Sequence, residues 1–205
     1  MTKINLSCLI VALFLNACSS DNSDQESSSN TIVLGETAFT QIDGNNISIS
    51  DSKTDGDGTL MGLNPLGSLA SGKNFKLEAS LKAGGSIILK TYADESGNNG
   101  LNFKFSNSNN ALVVTASGPN FSSDLSSFFS DASPTEFTFY IDVHNDETPA
   151  HVIIWDNDPT TSPIYDSEDD TPGFEANGSG TYFGATLDSA SLKKLTPSSP
   201  NLEGE

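Results

Sequence analysis

The feature of this sequence that most constrains its fold is a strict alternation of apolar and polar residues over short stretches. In FTFYIDVH, residues 137–144, every second residue is apolar. Successive side chains of a β-strand point to opposite faces, so the pattern predicts a strand with one buried and one polar face. The same period recurs in FKLEASLK (75–82), GSIILKTYA (85–93), LNFKFS (101–106), ALVVTAS (111–117), HVIIWD (151–156), TYFGATLD (181–188) and ASLKKL (190–195).

Turn residues separate these stretches every eight to twelve positions, which is typical of an antiparallel β-sandwich. Gly84-Gly85 and NSNN (107–110) each predict a hairpin, and Asp43-Gly44 predicts a first hairpin between TAFTQID and NNISIS. In DSKTDGDGT (51–59) the Asp-Gly pairs favour a tight turn over a calcium loop, because Lys53 and Gly62 stand where carboxylates are expected. One short helix is predicted in FSSDLSSFFSD, residues 121–131.

The first thirty residues are unlike the rest. Residues 1–17 have one early base and an apolar run too short to span a membrane, which predicts a secretory signal. Leu15-Asn16-Ala17-Cys18 resembles the lipobox of bacterial lipoproteins, and that resemblance implies acylation of Cys18. The alternative is an ordinary cleaved signal with an incidental cysteine. Residues 18–30 are predicted to be a flexible tether, 31–196 the folded domain and 197–205 a disordered tail. Ser19 after the lipidated cysteine implies sorting to the outer membrane.

Charge excludes one class of partner. The chain has nine Lys and no Arg against 27 acidic residues, for a formal net charge of −18. Nucleic-acid binding needs clustered bases that neutralise phosphates, so no nucleic-acid partner is predicted. The acidity is explained either by solubility at a cell surface or by carboxylates that hold Ca²⁺.

The order of the strands from FKLEASLK to the closing YFGATLDSASLKKL resembles the concanavalin A-like domains of the LamG and lectin/glucanase type. The resemblance covers about residues 35–195 and implies an antiparallel jelly-roll sandwich. Members of this group commonly bind sugars on the concave sheet face or at the rim of the loops.

The candidate ligand-binding residues lie on the polar face of 137–144 and on the strand after it. Aromatic rings stack on the apolar faces of sugars, while a carboxylate or an amide binds their hydroxyls. The second strand leaves two alternatives open: Val152 and Ile154 are in the core and Trp155 is exposed, or Ile153 and Trp155 are in the core. The predicted ligand-binding set is Tyr140, Asp142, His144, His151 and Trp155.

A calcium site is the second expectation, and it follows from the resemblance. The calcium sites of L-type lectins are similar in outline to the stretch from Asp142 to His151, although Tyr140 stands where a Glu is expected and the loop is shorter. Nearby loops supply further carboxylates, either Asp156 and Asp158 or the group Asp166, Glu168, Asp169 and Asp170. The candidate metal ligands are Asp142, Asp146, Asp156 and Asp158.

Catalysis is not predicted. Glycoside hydrolases of the concanavalin A-like group need two carboxylates on alternate residues of one strand. Tyr140-Ile141-Asp142 supplies only one. The sequence therefore predicts a lipid-anchored, non-catalytic, lectin-like domain that binds a glycan at the bacterial envelope. The alternative is a structural or protein-adhesive envelope lipoprotein without a small ligand.

Overall fold

The structure is a computed structural model that describes residues 31–44, 47–50, 53–66, 72–119, 121–170 and 177–198. The predicted signal, Cys18 and the tether lie outside the described residues, as do residues 199–205 of the predicted tail. Pro197 and Ser198, which were predicted to begin that tail, instead belong to the last described strand and pair with Phe75 and Asn74. Within the described part of the chain, no helix is long and apolar enough to cross a membrane.

The described chain is almost entirely β-structure. Its strands are β1 (Thr31–Leu34), β2 (Thr37–Asp43), β3 (Ser48–Ser50), β4 (Lys53–Gly62), β5 (Lys73–Ala93), β6 (Leu101–Ser108), β7 (Ala111–Gly118), β8 (Phe121–Asp124), β9 (Phe137–His144), β10 (His151–Asp156), β11 (Tyr165–Asp166) and β12 (Tyr182–Ser198). All of the strand pairs are antiparallel. The predicted all-β, antiparallel jelly-roll sandwich is confirmed.

Three long strands take part in both layers of this sandwich. In the layer that we call the front layer, the order is β3–β4–β12–β5–β9–β10–β11, formed by the N-terminal parts of β4 and β5 and the C-terminal part of β12. The other parts of these strands continue into the back layer, ordered β1–β2–β4–β12–β5–β6–β7–β8. The layers are therefore joined through continuous strands.

The predicted Gly84-Gly85 hairpin is wrong, because β5 does not reverse there. Residues 82–85 form a bulge opposite the single residue Ser189 of β12, between the pairs Leu81↔Ala190 and Ser86↔Asp188. Gly84 adopts a φ of +75°, and a Cβ on Gly85 would lie 2.3 Å from the carbonyl oxygen of Ser189. The glycines let the strand bend from one layer into the other instead of turning back.

Other local expectations also change. β2 pairs with β1 and β4, whereas β3 pairs with β4, so 37–43 and 48–50 do not form the predicted first hairpin. Residues 53–59 belong to β4 rather than to a turn. Gly56 and Gly58 adopt φ of +131° and +152°, and a bulge in the pairing with β12 accommodates them within the strand.

The predicted helix over 121–131 is replaced by β8 and a 3₁₀ turn at Ser126–Phe129. Serine-rich segments prefer side-chain to backbone hydrogen bonds over helical ones. Here Ser126 accepts a hydrogen bond from the backbone of Val114, and its own amide donates to Asp124.

The predicted core face of β9 is correct. Phe139, Ile141 and Val143 are buried between the layers, and the ring of Phe139 stacks on Phe105 of the back layer at 5.2 Å between centroids. Phe129 from the 3₁₀ turn meets Phe139 edge-on at 5.1 Å. This aromatic cluster fixes β9, so the opposite side of the same strand must face away from the core.

Candidate functional site

The candidate site lies on the outer side of the β9–β10 hairpin, away from the core. The register pairs His144 with His151, Asp142 with Ile153, and Tyr140 with Trp155. Because directly opposed residues of antiparallel strands share a face, these six side chains form one row on the outer surface of the front layer.

The two alternatives for β10 are both partly right. Val152 and Ile154 belong to the core between the layers, so Trp155 is on the outer face. Trp155 is nevertheless only 4% exposed. Its indole Nε1 donates a hydrogen bond to the carbonyl oxygen of Thr161 at 3.1 Å, in the loop that joins β10 to β11. That loop lies close to the ring.

Most of the predicted ligand-binding side chains are therefore not on an open surface. Asp142 is 0% exposed, and His144 and His151 are both buried, with His151 at 8%. Tyr140 alone of the five is half-buried. In this conformation a ligand can contact Tyr140 directly and, at the end of the hairpin, the edge of His151.

Tyr140 lies beside two charged residues from β5. The ammonium of Lys76 lies over its ring at 5.3 Å from the centroid, and the same ammonium pairs with Glu78 at 2.6 Å. The hydrogen bond with Glu78 raises the pKa of Lys76, against the opposing effect of partial burial. We call Tyr140, Lys76 and Glu78 the tyrosine patch.

The two imidazoles meet at the other end of the hairpin. The rings of His144 and His151 stack with 5.5 Å between centroids and 28° between planes. Nε2 of His144 lies 3.3 Å from Oδ2 of Asp142, and Nε2 of His151 lies 3.0 Å from Oδ1 of Asp166. The hydrogen bond with Asp166 thus orients the ring of His151.

Two glutamates face the remaining ring nitrogen of His151. Nδ1 of His151 lies 3.9 Å from Oε2 of Glu147 and 4.0 Å from Oε1 of Glu168. Both glutamates are exposed, at 48% and 68% of their side chains. Together with Ser167 and the Thr148–Ala150 turn they line an open depression of about 350 Å³. We call Glu147, His151 and Glu168 the histidine–glutamate cluster.

The four predicted calcium ligands are not brought together. Asp156 is opposite Phe139, whereas Asp146 lies beyond His144, so at least five strand residues, roughly 17 Å, separate them. Asp158 accepts hydrogen bonds from Thr160, which lower its pKa, and burial raises the pKa of Asp156. Ca²⁺ needs six or more oxygens around one point, and this set does not provide them.

Two residues of this region, Lys76 and Glu147, were not among the predicted candidates, whereas Asp166 and Glu168 were predicted only as further calcium ligands from a neighbouring loop. Lys76 was predictable as an outward-facing residue, since it alternates with Phe75 and Leu77, but its pairing with β9 was not. The approach of Asp166 and Glu168 to His151 depends on β11, a two-residue strand with no signal in the sequence.

No family model matches this chain, and no curated protein does either. Among solved structures, the chain is similar to the carbohydrate binding module CBM66 from Bacillus subtilis, with a TM-score of 0.50 and 13% identity over 78% of this chain and 95% of that one. It also matches galectin LEC-6 of Caenorhabditis elegans, with a TM-score of 0.44 and 9% identity over 74% of this chain and 100% of that chain. The likeness to the module shows a shared fold, and the lower-scoring galectin match adds nothing to it.

Proposed function

We propose that this chain is a non-catalytic, lectin-like recognition domain that binds a glycan at the bacterial envelope and is anchored to the outer membrane through acylated Cys18. The observation that carries the proposal is the β-sandwich itself. It superposes on a domain whose described role is carbohydrate binding, over 95% of that domain's length.

The tyrosine patch is the part of the outer face that suits a sugar best. A half-buried tyrosine offers an apolar ring face for stacking on pyranose C–H groups. Lys76 and Glu78 beside it supply a donor and acceptors for the hydroxyls. Tyr140 thus remains a predicted ligand-binding residue. Trp155 is the buried cross-strand neighbour of Tyr140, and it supports the tyrosine patch without contacting the sugar.

The arrangement of carboxylates favours binding over hydrolysis. A catalytic acid acts from a desolvated position that keeps its carboxyl protonated, and the second carboxylate lies about 5 Å away in retaining enzymes and roughly 6.5–9.5 Å away in inverting ones. Asp142 is fully buried and faces His144, whereas Glu147 and Glu168 are both exposed. No measurable release of sugar from arrayed oligosaccharides is expected, and turnover would contradict the non-catalytic assignment.

Binding is tested first on a broad glycan array, and then by titrating a hit while Trp155 fluorescence is recorded. Trp155 is the cross-strand neighbour of Tyr140, so occupation of the patch should perturb its emission. Tyr140→Ala should weaken binding about tenfold, in line with the loss of one aromatic contact of about 1.4 kcal/mol.

Tyr182→Ala is the matched control, because Tyr182 is also half-buried but lies on β12 in the back layer, paired with Ala93. An unchanged glycan affinity of Tyr140→Ala would show that the glycan does not bind at the tyrosine patch. Absence of any hit across the array would overturn glycan binding and leave the protein-adhesive alternative. The anchor is tested separately by metabolic labelling with a palmitate analogue, which Cys18→Ser should abolish.

A further inference from the structure

We propose that Glu147, His151 and Glu168 form a binding site for one divalent transition-metal ion, for which Zn²⁺ is the best match. One nitrogen and two carboxylate oxygens of these residues all lie within 4.8 Å of one another. The site is separate from the tyrosine patch and does not depend on glycan binding.

The spacing suits an ion placed between the three groups. Around a tetrahedral Zn²⁺ with bonds of roughly 2.1 Å, neighbouring ligand atoms are about 3.4 Å apart. The two glutamate oxygens lie 3.9 and 4.0 Å from Nδ1 of His151. Both glutamate side chains are exposed, so small rotations bring their oxygens to bonding distance without disturbing the fold.

Asp166 prepares His151 for this role. Its carboxylate can only accept a hydrogen bond, so in the neutral imidazole the proton of the 3.0 Å contact resides on Nε2. The lone pair is then on Nδ1, the nitrogen that faces Glu147 and Glu168. A carboxylate behind a metal-binding histidine fixes the tautomer and the ring orientation in known metal sites, and its loss typically weakens metal affinity 10–100-fold.

The backbone holds both glutamates in place. The carbonyl oxygen of Glu147 accepts a hydrogen bond from Asn177 at 2.6 Å. The amide of Glu168 donates to Oδ1 of Asp166 at 3.0 Å, the oxygen that also contacts His151. Next to it, Ser167 exchanges hydrogen bonds with the backbone of Val152. The backbone of both ligand-bearing segments is therefore held, that of Glu147 by Asn177 and that of Glu168 by Asp166 and the neighbouring bonds to β10.

The donor set selects the metal class. An imidazole with two carboxylates suits Zn²⁺, Ni²⁺ or Cu²⁺, whereas Ca²⁺ and Mg²⁺ prefer oxygen ligands in larger numbers. Three protein ligands leave a fourth position of a tetrahedral ion open to the depression. That position would be filled by water or by an oxygen of an external ligand.

The test is calorimetric titration of Zn²⁺ into the chelator-treated full chain, without glycan. One ion per chain is expected. Glu147→Gln and Glu168→Gln should each weaken binding at least tenfold, and the double variant should abolish the stoichiometric site. Asp169→Asn, next to Glu168 and exposed, removes the same charge and should leave the affinity unchanged.

A spectroscopic readout separates a built site from general attraction to an acidic surface. Co²⁺ bound to these ligands should give visible absorption bands of tetrahedral intensity, and Asp166→Asn should reduce the Co²⁺ affinity 10–100-fold. Far-ultraviolet circular dichroism of each variant checks that it is folded. Absence of one-to-one binding by the wild-type chain, or its retention in the Glu147→Gln/Glu168→Gln variant, would overturn the proposal. Glycan binding would be unaffected by either result.

Discussion

The two ends of the β9–β10 hairpin carry their side chains on the same outer face, yet they differ in what covers them. At one end, Trp155 lies close to the β10–β11 loop, is hydrogen-bonded to it and is 4% exposed. At the other end, His151 lines an open depression beside two exposed glutamates. The strand decides the face on which a residue lies, but the loop that returns from the strand decides whether solvent reaches it.

The histidine end contains a second contrast of the same kind. His144 with Asp142 and His151 with Asp166 are both carboxylate–imidazole contacts, at 3.3 and 3.0 Å. Asp142 is fully buried, whereas the side chain of Asp166 is 22% exposed. Removing one partner of a buried pair is costly, whereas a partly exposed pair contributes little to stability and can take part in binding.

The largest change in the free energy of unfolding is expected at Trp155, the covered position, compared with Tyr140, its accessible neighbour. Trp155→Ala leaves a cavity under the loop and removes the hydrogen bond to Thr161, so the free energy of unfolding should fall by about 4 kcal/mol. Tyr140→Ala, at its cross-strand neighbour, should lower it by less than about 1 kcal/mol, because that ring is half-solvated. Equilibrium urea unfolding measures both. Similar losses would show that the loop gives Trp155 no additional stability.

A smaller difference is expected between the two aspartates. Asp142→Ala removes the carboxylate from a buried pair and should lower the free energy of unfolding by about 3 kcal/mol. Asp166→Ala, at a partly exposed pair, should lower it by less than about 1 kcal/mol. The same urea experiment at neutral pH gives both values. Equal effects would contradict the distinction between a structural and a surface pair.

The smallest effect is expected in alkaline solution, at a buried tyrosine beneath the hairpin. Burial raises the pKa of Tyr165 to about 12, from its usual value of 10.0. Below pH 10 the hydroxyl is neutral in both states. Between pH 10 and 12 it ionises only in the unfolded chain, so stability should decline by at most about 2 to 3 kcal/mol. Tyr165→Phe should flatten this part of the profile, measured by urea unfolding at each pH. An unaltered slope would assign the alkaline loss to other groups.

Sequence alone predicted the elements that local periodicity defines. The alternation in 137–144 identified the core residues of β9, and NSNN correctly placed the turn between β6 and β7, with Asn109 and Asn110 both in the left-handed conformation. These features depend on residues close together in the chain. The core assignment of Val152 and Ile154 stayed open because both parities of HVIIWD place apolar residues on the inner face.

The features that could not be predicted depend on partners distant in sequence. Gly84-Gly85 has the composition of a hairpin, but pairing with β12, about a hundred residues later, converts it into a bend. Asp166 and Glu168 were predicted only as additional calcium ligands, and their approach to His151 follows from the pairing of β11 with β10. The predicted calcium ligands do not converge, because the β9–β10 hairpin holds Asp146 and Asp156 about one strand length apart.

The position of β12 also determines when this domain can fold. β12 is the last described strand, yet it lies between β4 and β5 in both layers, and Thr54 of β4 hydrogen-bonds Leu192 across 138 positions. Neither layer can close until Tyr182–Ser198 has been synthesised, and such non-local pairing is slow. The chain must therefore remain incompletely folded until this last strand is available, with one edge each of β4 and β5 open to other strands. That interval is the period in which this domain would depend most on a chaperone.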